Sequence, residues 1–389
     1  MNSGKTVFKQ LLQFLPRYEF NLCVKRYAGE HWVKKFSTYD QFLCLAYAQM
    51  AGRESLRDIE TCLNSHQEKL YHVGFRGDVS RATLADANER RDWRIFQDFG
   101  HVLIRMAQQL YQRESIAVEL AQPLYAFDST TIDLCLSLFP WAEFRKTKAA
   151  VKMHTLIDLR GPIPTWVAIT TGKVHGVRML DQLPVAKDAI YTMDRGYVDF
   201  TRLYALHQQG AFFVVRAKDN LKSRRLYSRP KNKDAGVRSD QIITLVTQKS
   251  KKGYPDRLRR ISFIDKERDK RLVFLTNNFE IPAETVAAVY KQRWQVELFF
   301  KWIKQHLRIK SFIGTSVNAV KSQIWVALCI YLLVAITKKK LGVQCSLYTF
   351  LQILEVNLFE KKPILPLVTE ALKLNSGTSW DNQPNLFGY

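Results

Sequence analysis

Three carboxylates stand where chemistry is possible. Asp128 closes the β-rich run "LYAFD", Asp194 closes "AIYTMD", and Glu297 lies inside "YKQRWQVELFFKWIKQHL", residues 290–307. In open α/β sheets the ligand crevice lies beyond the carboxyl ends of strands, so the first two acids hold natural positions for function. On a helix turning about 100° per residue, Tyr290, Arg293, Glu297, Lys301 and Lys304 fall within roughly 80° of one another. Val289, Val296, Phe299, Phe300, Ile303 and Leu307 gather on a different arc. One reading of this polar stripe is a solvated face, with Glu297 paired at i,i+4 to Arg293 and Lys301 for about 0.2 to 0.5 kcal/mol each. That reading leaves open why one acid sits in the middle of a basic ridge.

The elements that must position these acids are legible in outline. "LYAFDSTTIDLCL", "AVKMHTLIDLRG", "PIPTWVAITTGKV", "AIYTMDRGYVD" and "AFFVVRAKDN" read as strands. "FTRLYALHQQG" reads as a helix closed by Gly210. Together they predict a mixed α/β sheet. Between residues 219 and 280 the texture changes, with 17 Lys plus Arg against 8 Asp plus Glu. There "QIITLVTQKS", "LRRISFID" and "KRLVFLTNN" read as strands, and "SRPKNKDAG" and "KSKKGYPDR" as turns. A basic β insertion beside acidic strand ends suits a phosphate backbone lying across it, or else forms a solvated set of hairpins. The helix holding Glu297 is expected to start at Pro282, with Glu284 in its first turn, and to run straight or kink near Arg293.

Ahead of the sheet, residues 1–118 read as a helical domain and a candidate for DNA binding. Its helices open at Ser37, Thr38 and Asp40 and again at Ser80, and Gly52 marks a turn. The sheet and its insertion, at about 219–280, occupy 119–340. A helical C-terminal region and tail occupy 341–389, with "NSGTSWDNQPNLFGY" read as a poorly ordered end.

Charge narrows the partner. The 389 residues carry 59 Lys plus Arg against 36 Asp plus Glu, a formal net charge of +23. A field of that sign attracts polyanions, nucleic acid first and acidic membrane surfaces second. The most apolar run, "IWVALCIYLLVAI", lies in 16 uncharged residues between Lys321 and Lys338. That is short of the roughly 20 a spanning helix needs, so it reads as a buried core helix and no membrane partner is expected. No secretory leader is visible, and the six scattered cysteines read as reduced core thiols of a cytoplasmic protein.

Tyr290, Arg293, Glu297 and Lys304 in that order and spacing resemble the Tyr-Arg-Glu-Lys signature of the insertion-sequence-four family of bacterial DDE transposases. "YTMDRGY" is similar to the family's second-aspartate segment, and "LYAFDSTTI" to its first. "FFVVRAKDN" is similar to the strand preceding its β insertion. The similarity runs from about 124 to 307 in the family's order. It implies a ribonuclease-H-like fold in which Asp128, Asp194 and Glu297 form a catalytic triad holding two Mg²⁺ ions, with Mn²⁺ as a substitute. Hard cations of this kind take oxygen ligands, and a pair of them serves an in-line displacement at phosphorus.

The resemblance also gives the cations work. Arg293, Lys304 and, less directly, Lys301 would meet DNA phosphate, and Tyr290 would bond it through its hydroxyl. Trp294 fits either core packing or a stack against an unpaired base. Asp133, Asp158, Asp181 and Asp199 read as caps or surface acids, His175 as a residue near the site, and Ser129 and Thr130 as supports for Asp128. The implied function is cut-and-paste DNA transposition by a homodimer acting on double-stranded DNA, at the element's terminal inverted repeats and the target, in the bacterial nucleoid. A nuclease of the same fold without strand transfer, or a non-catalytic repressor derived from a transposase, are the alternatives.

Overall fold

The computed structural model describes residues 4–75, 77–114, 118–265, 269–306 and 311–377. Two compact units divide it: Tyr111–Lys301, and a second made of both chain ends, Met1–Leu110 with Trp302–Tyr389.

In the first unit the β-rich runs become strands. β1 (Leu124–Leu134), β2 (Glu143–Arg145), β3 (Lys148–Asp158) and β4 (Ile163–Thr171) are antiparallel, with β3 between β1 and the β2/β4 side. β5 (Ile190–Met193) then lies parallel to β1, and β6 (Phe212–Arg216) parallel to β5. The helix Phe200–Gln208 links the last two. Asp199 caps its start by accepting the Arg202 amide, and Gly210 ends it at φ +77°, where a side chain would be strained. This strand order and direction make the expected ribonuclease-H-like mixed sheet. Phe127, Leu156, Tyr191, Phe213 and Leu275 fill its core.

The basic stretch continues the same sheet. β7 (Ser223–Ser228), β8 (Val237–Leu245), β9 (Leu258–Asp265) and β10 (Lys270–Thr276) form an antiparallel series, and β10 pairs with β6. Two local expectations change. "SRRLYS" is a strand the sequence pattern did not reveal, because five of its six residues are exposed and it lacks an apolar face. "QKSKKG", expected to end a strand and open a turn, is the short helix Gln248–Gly253, capped by the Thr247 side chain.

Not all the insertion's cations face solvent. Arg259 is fully buried and donates to both carboxylate oxygens of Asp240, at 2.9 and 2.7 Å. Its remaining donors reach the Asn278 and Ile281 carbonyls at 3.3 and 2.6 Å. The pair thereby fixes the loop that launches the helix Ala283–Gln292, whose N-cap is Pro282. That helix lies against β5, β6, β8 and β9.

The second unit is helical. Ser37 and Asp40 form a reciprocal capping box at the start of Thr38–Met50, and Ser80 precedes Arg81–Arg90 as expected. The chain ends are tied together: the Gln10 side chain donates to the Lys362 carbonyl at 2.7 Å and accepts the Ile364 amide at 3.0 Å. Through the unit runs Val317–Lys340, a 24-residue helix that is long and apolar enough to cross a membrane, contrary to the 16-residue estimate. Its polar ends extend the helix beyond the uncharged run, yet 94% of its most apolar window is buried. The core-helix reading therefore stands on burial rather than length. At Gly100 a β-carbon would lie 2.9 Å from the Trp325 ring, so glycine permits this close helix approach.

Residues 302–340, grouped with the sheet in the sequence reading, thus pack with the terminal helices. Of the expected tail, 375–377 end the helix Ile364–Gly377, and 378–389 lie outside the described residues. All six cysteines are free, but Cys135 is exposed rather than in the core.

Candidate active site

Register brings the two aspartates side by side. Tyr125 pairs with Tyr191 and Ala126 with Thr192 across the parallel β1–β5 ladder. Asp128 and Asp194 each follow the last paired residues of that ladder by two positions, on neighbouring strands. Asp194 directly follows β5 and is the N-cap residue of a single 3₁₀ turn, Arg195–Tyr197, whereas Asp128, expected at a strand end, lies inside β1, where pairing with β3 carries the strand on to Leu134. This turn folds Tyr197 back onto the middle of β1.

Tyr197 was not among the residues singled out from the sequence. Its hydroxyl lies 3.2 Å from Oδ1 of Asp128 and 3.1 Å from Oγ of Ser129, while its amide donates to the Asp194 carbonyl at 3.0 Å. Burial, with Asp128 second, pushes its phenol far above the ordinary range, so it stays a donor. Ser129 supports Asp128 through its backbone amide, at 2.8 Å. Gly176 lies just beyond, where a β-carbon would sit 3.0 Å from the Tyr197 hydroxyl and 3.1 Å from Ser129 Oγ. The loop of His175 thus approaches the site through its glycine, and the exposed His175 itself only precedes the turn. The signal for Tyr197 was its place in "DRGY", three residues past an acid at a strand end.

The third acid arrives from above the sheet. The helical pattern predicted through 307 breaks at Arg293, giving Ala283–Gln292 and Trp294–His306. From that junction Arg293 donates to Asp128 Oδ2 at 3.1 Å and to Glu297 Oε1 at 2.6 Å. Tyr290, one turn earlier, donates to Asp194 Oδ1 at 3.1 Å and packs its ring on Phe274. Two side chains therefore connect all three acids.

Electrostatics follow from this enclosure. Burial raises the Asp128 carboxyl above its usual value, and Glu297 adds to the rise, while the Ser129 amide and Arg293 oppose it. Burial pushes the Tyr290 phenol up to about 12. Burial works against the Arg293 cation, but Tyr290, Glu297 and Asp128 outweigh it and leave its pKa raised. Its Nε is buried with no partner among the described residues.

The other candidates divide. Trp294 is 47% exposed and lines, with Tyr290 and Arg293, a cavity of about 570 Å³ walled by Phe263, Leu272 and Leu298. It is not a core residue. Lys301 is exposed one turn after Glu297, and Lys304 is partly buried in the next turn. Asp158 pairs with Arg160, and Asp181 and Asp199 both pair with Arg202, which leaves these acids in structural roles.

The sheet order, with one acid inside β1 and another just past β5, belongs to the ribonuclease-H-like class of enzymes acting on nucleic acid. Residues 119–333 match the family described as "Transposase DDE domain", and residues 3–76 match a domain family of unknown function, DUF4372. The chain is a member of the DDE transposase domain family and, with it, an enzyme acting on DNA. Relatives agree. A protein named as a transposase in Sinorhizobium fredii is 32% identical over 286 residues, 72% of this chain and 78% of its own. A transposase for an insertion sequence element of Geobacillus stearothermophilus is 34% identical over 55% of this chain and 57% of its own. Another from Synechocystis is 25% identical over 70% and 76%. A solved endonuclease V from Streptomyces avermitilis covers 50% of this chain and 83% of its own at 10% identity, but its TM-score of 0.22 is too low to bear on the fold.

The DDE family works with a divalent metal, and the donor set suits one. Asp128, Asp194 and Glu297 offer only oxygens, as hard divalent cations prefer. The Arg293 guanidinium already bridges two of them, so a positive charge is accommodated there. Among the described residues, no three acids, histidines or cysteines stand close enough together to form a ready metal cluster.

Proposed function

We propose that this chain catalyses transposition of an insertion sequence. It would bind the terminal inverted repeats in double-stranded DNA, hydrolyse a strand at each end, and join the freed 3′ ends to target DNA. The observation that carries the site is the junction at Arg293, whose two neighbouring side chains reach Asp128, Asp194 and Glu297 at once. Asp128, Asp194 and Glu297 would hold two Mg²⁺ ions, or Mn²⁺ in their place, which activate an attacking oxygen and stabilise a leaving 3′ oxygen.

The protein's own groups do the rest. Tyr197 keeps one oxygen of Asp128 occupied, while the other accepts from Arg293. Arg293, charged and mostly buried, would donate to the DNA phosphate, with Tyr290 beside it. Lys301 and Lys304 extend the same helix as point charges for the flanking backbone. Trp294, on the cavity wall, offers a ring to an unpaired base. Two ends must be held together, so a homodimer is the working form, acting in the cytoplasm on the nucleoid.

Purified protein with end-bearing duplex and Mg²⁺ should nick and then transfer strands. Asp194→Asn and Glu297→Gln should bind the duplex without cutting it. Normal cleavage by either variant would remove that acid from the triad. Cleavage without any joined product would favour the nuclease alternative.

A further inference from the structure

Residues 28–35 form a loop in the helical unit whose construction and exposure are at odds with a mere connector. Ala28 has φ +50° and Trp32 φ +62°, left-handed conformations that cost a non-glycine residue roughly 1 kcal/mol or more. Trp32 is 88% exposed, although a residue of its size is ordinarily well covered.

The loop is held firmly at both ends. Before it, Arg26 and Tyr27 bond the same Asp98 carboxylate. After it, Arg91 donates to the carbonyls of Phe36 and Ser37. Within it, Thr38 Oγ1 donates to the Gly29 carbonyl at 2.8 Å, and the Thr38 amide donates to Glu30 Oε1 at 2.8 Å. Gly29 is closely packed, since a β-carbon there would lie 2.7 Å from the Ile95 side-chain tip and 3.1 Å from Thr38 Oγ1. The anchorage therefore sustains strain that presents Trp32 outward, and such strain persists where surrounding structure enforces it for a use.

Chemistry selects the partner. Glu30, the loop's acid, is engaged with Thr38, while Lys34 and Lys35, two and three residues after Trp32, are exposed, and His31 lies edge-on to the ring at 4.9 Å. An outward aromatic flanked by free-standing cations suits a base or sugar face with phosphates on either side. We infer that the Trp32 loop is a duplex-DNA contact, the ring wedging against a base step or sugar and Lys34 and Lys35 meeting phosphate. This gives residues 3–76, matched only to a domain family of unknown function, a DNA-contacting surface separate from the acids. It rests on the proposed transposase activity.

The test is binding by the full chain to an element-end duplex and to an unrelated duplex of equal length, across a salt series. Trp32→Ala should weaken end binding about tenfold or more, and Trp32→Phe should retain most of it. Lys34→Ala with Lys35→Ala should lower the salt slope by about two. An unchanged thermal midpoint in each variant shows that the fold is intact. Wild-type affinity of Trp32→Ala for both duplexes overturns the inference, and does so decisively if the variant instead changes the protein's oligomeric mass. Failure of the wild-type chain to bind either duplex sinks the transposase reading itself.

Discussion

The Tyr197 hydroxyl lies 3.2 Å from Oδ1 of Asp128, while the backbone of the same tyrosine is bonded to Asp194. One residue thus links the middle of β1 to the residue that follows β5, and it does so with a phenol that burial keeps protonated. Tyr197→Phe keeps the ring against Phe127 and removes only the donor. Cleavage should slow by about tenfold, equivalent to about 1.4 kcal/mol, with end-DNA affinity unchanged. Single-turnover rates alongside binding isotherms decide this; equal loss of both would mean Tyr197 shapes the fold rather than Asp128.

Arg293 neutralises Asp128 and Glu297 in the same enclosure. Arg293→Ala should therefore strengthen binding of Mn²⁺ to the free protein severalfold, because two carboxylates lose their internal counter-ion. The same variant should bind end duplex more weakly and with a shallower salt dependence. Titration calorimetry with Mn²⁺ alone gives the answer, and weaker metal binding would show that Arg293 organises the acids instead of competing for them.

Asp240 and Arg259 are buried with side chains 3% and 2% exposed. Removing one partner strands a charge, so Arg259→Met should cost about 3 to 5 kcal/mol. Asp240→Leu combined with Arg259→Met should recover a large part of that loss. Urea unfolding compares the two, and additive losses would mean the pair is not coupled.

His154 on β3 is fully buried, bonded to Thr170 Oγ1 at 2.9 Å, and burial, then Lys152, lowers its pKa to about 4. The folded imidazole stays neutral while the unfolded one takes up a proton below about 6.5. Its contribution to stability is present above pH 6.5 and is lost as pH falls toward 4, by up to about 1.4 kcal/mol per unit. His154→Leu should flatten that part of the urea midpoint against pH. Parallel curves for the two proteins would exclude His154 as the cause.

The strands, the capped helices and the place of Asp194 just past a strand are legible because each depends on neighbours a few residues away, whereas Asp128, expected at a strand end, lies inside β1. Asp128 closes an apolar run, Asp194 closes another, and Ser37 with Asp40 writes a capping box in four residues. "SRRLYS" escaped because an exposed edge strand has no buried face to leave a pattern. The cation count of the insertion was read as surface charge, and composition could not separate Arg259, which the Asp240 side chain draws into the core. The apolar run was measured by its uncharged stretch, which underestimates a helix whose charged ends continue it.

What the amino-acid order determined by itself was a mixed sheet, a basic insertion, and a helix that carries Glu297 on a polar stripe. Those are consequences of periodicity and end chemistry, which act along the chain. The tertiary structure alone decided that the strands leading to Asp128 and Asp194 pair in parallel, that Tyr197 folds back to bond both acid residues, and that the helix breaks at Arg293 so its guanidinium reaches two acids. It also decided that residues 302–377 pack with the first 110. Each of these is a choice among partners far apart in sequence, made by burial and by pairing polar groups that water no longer serves, and no local pattern encodes it.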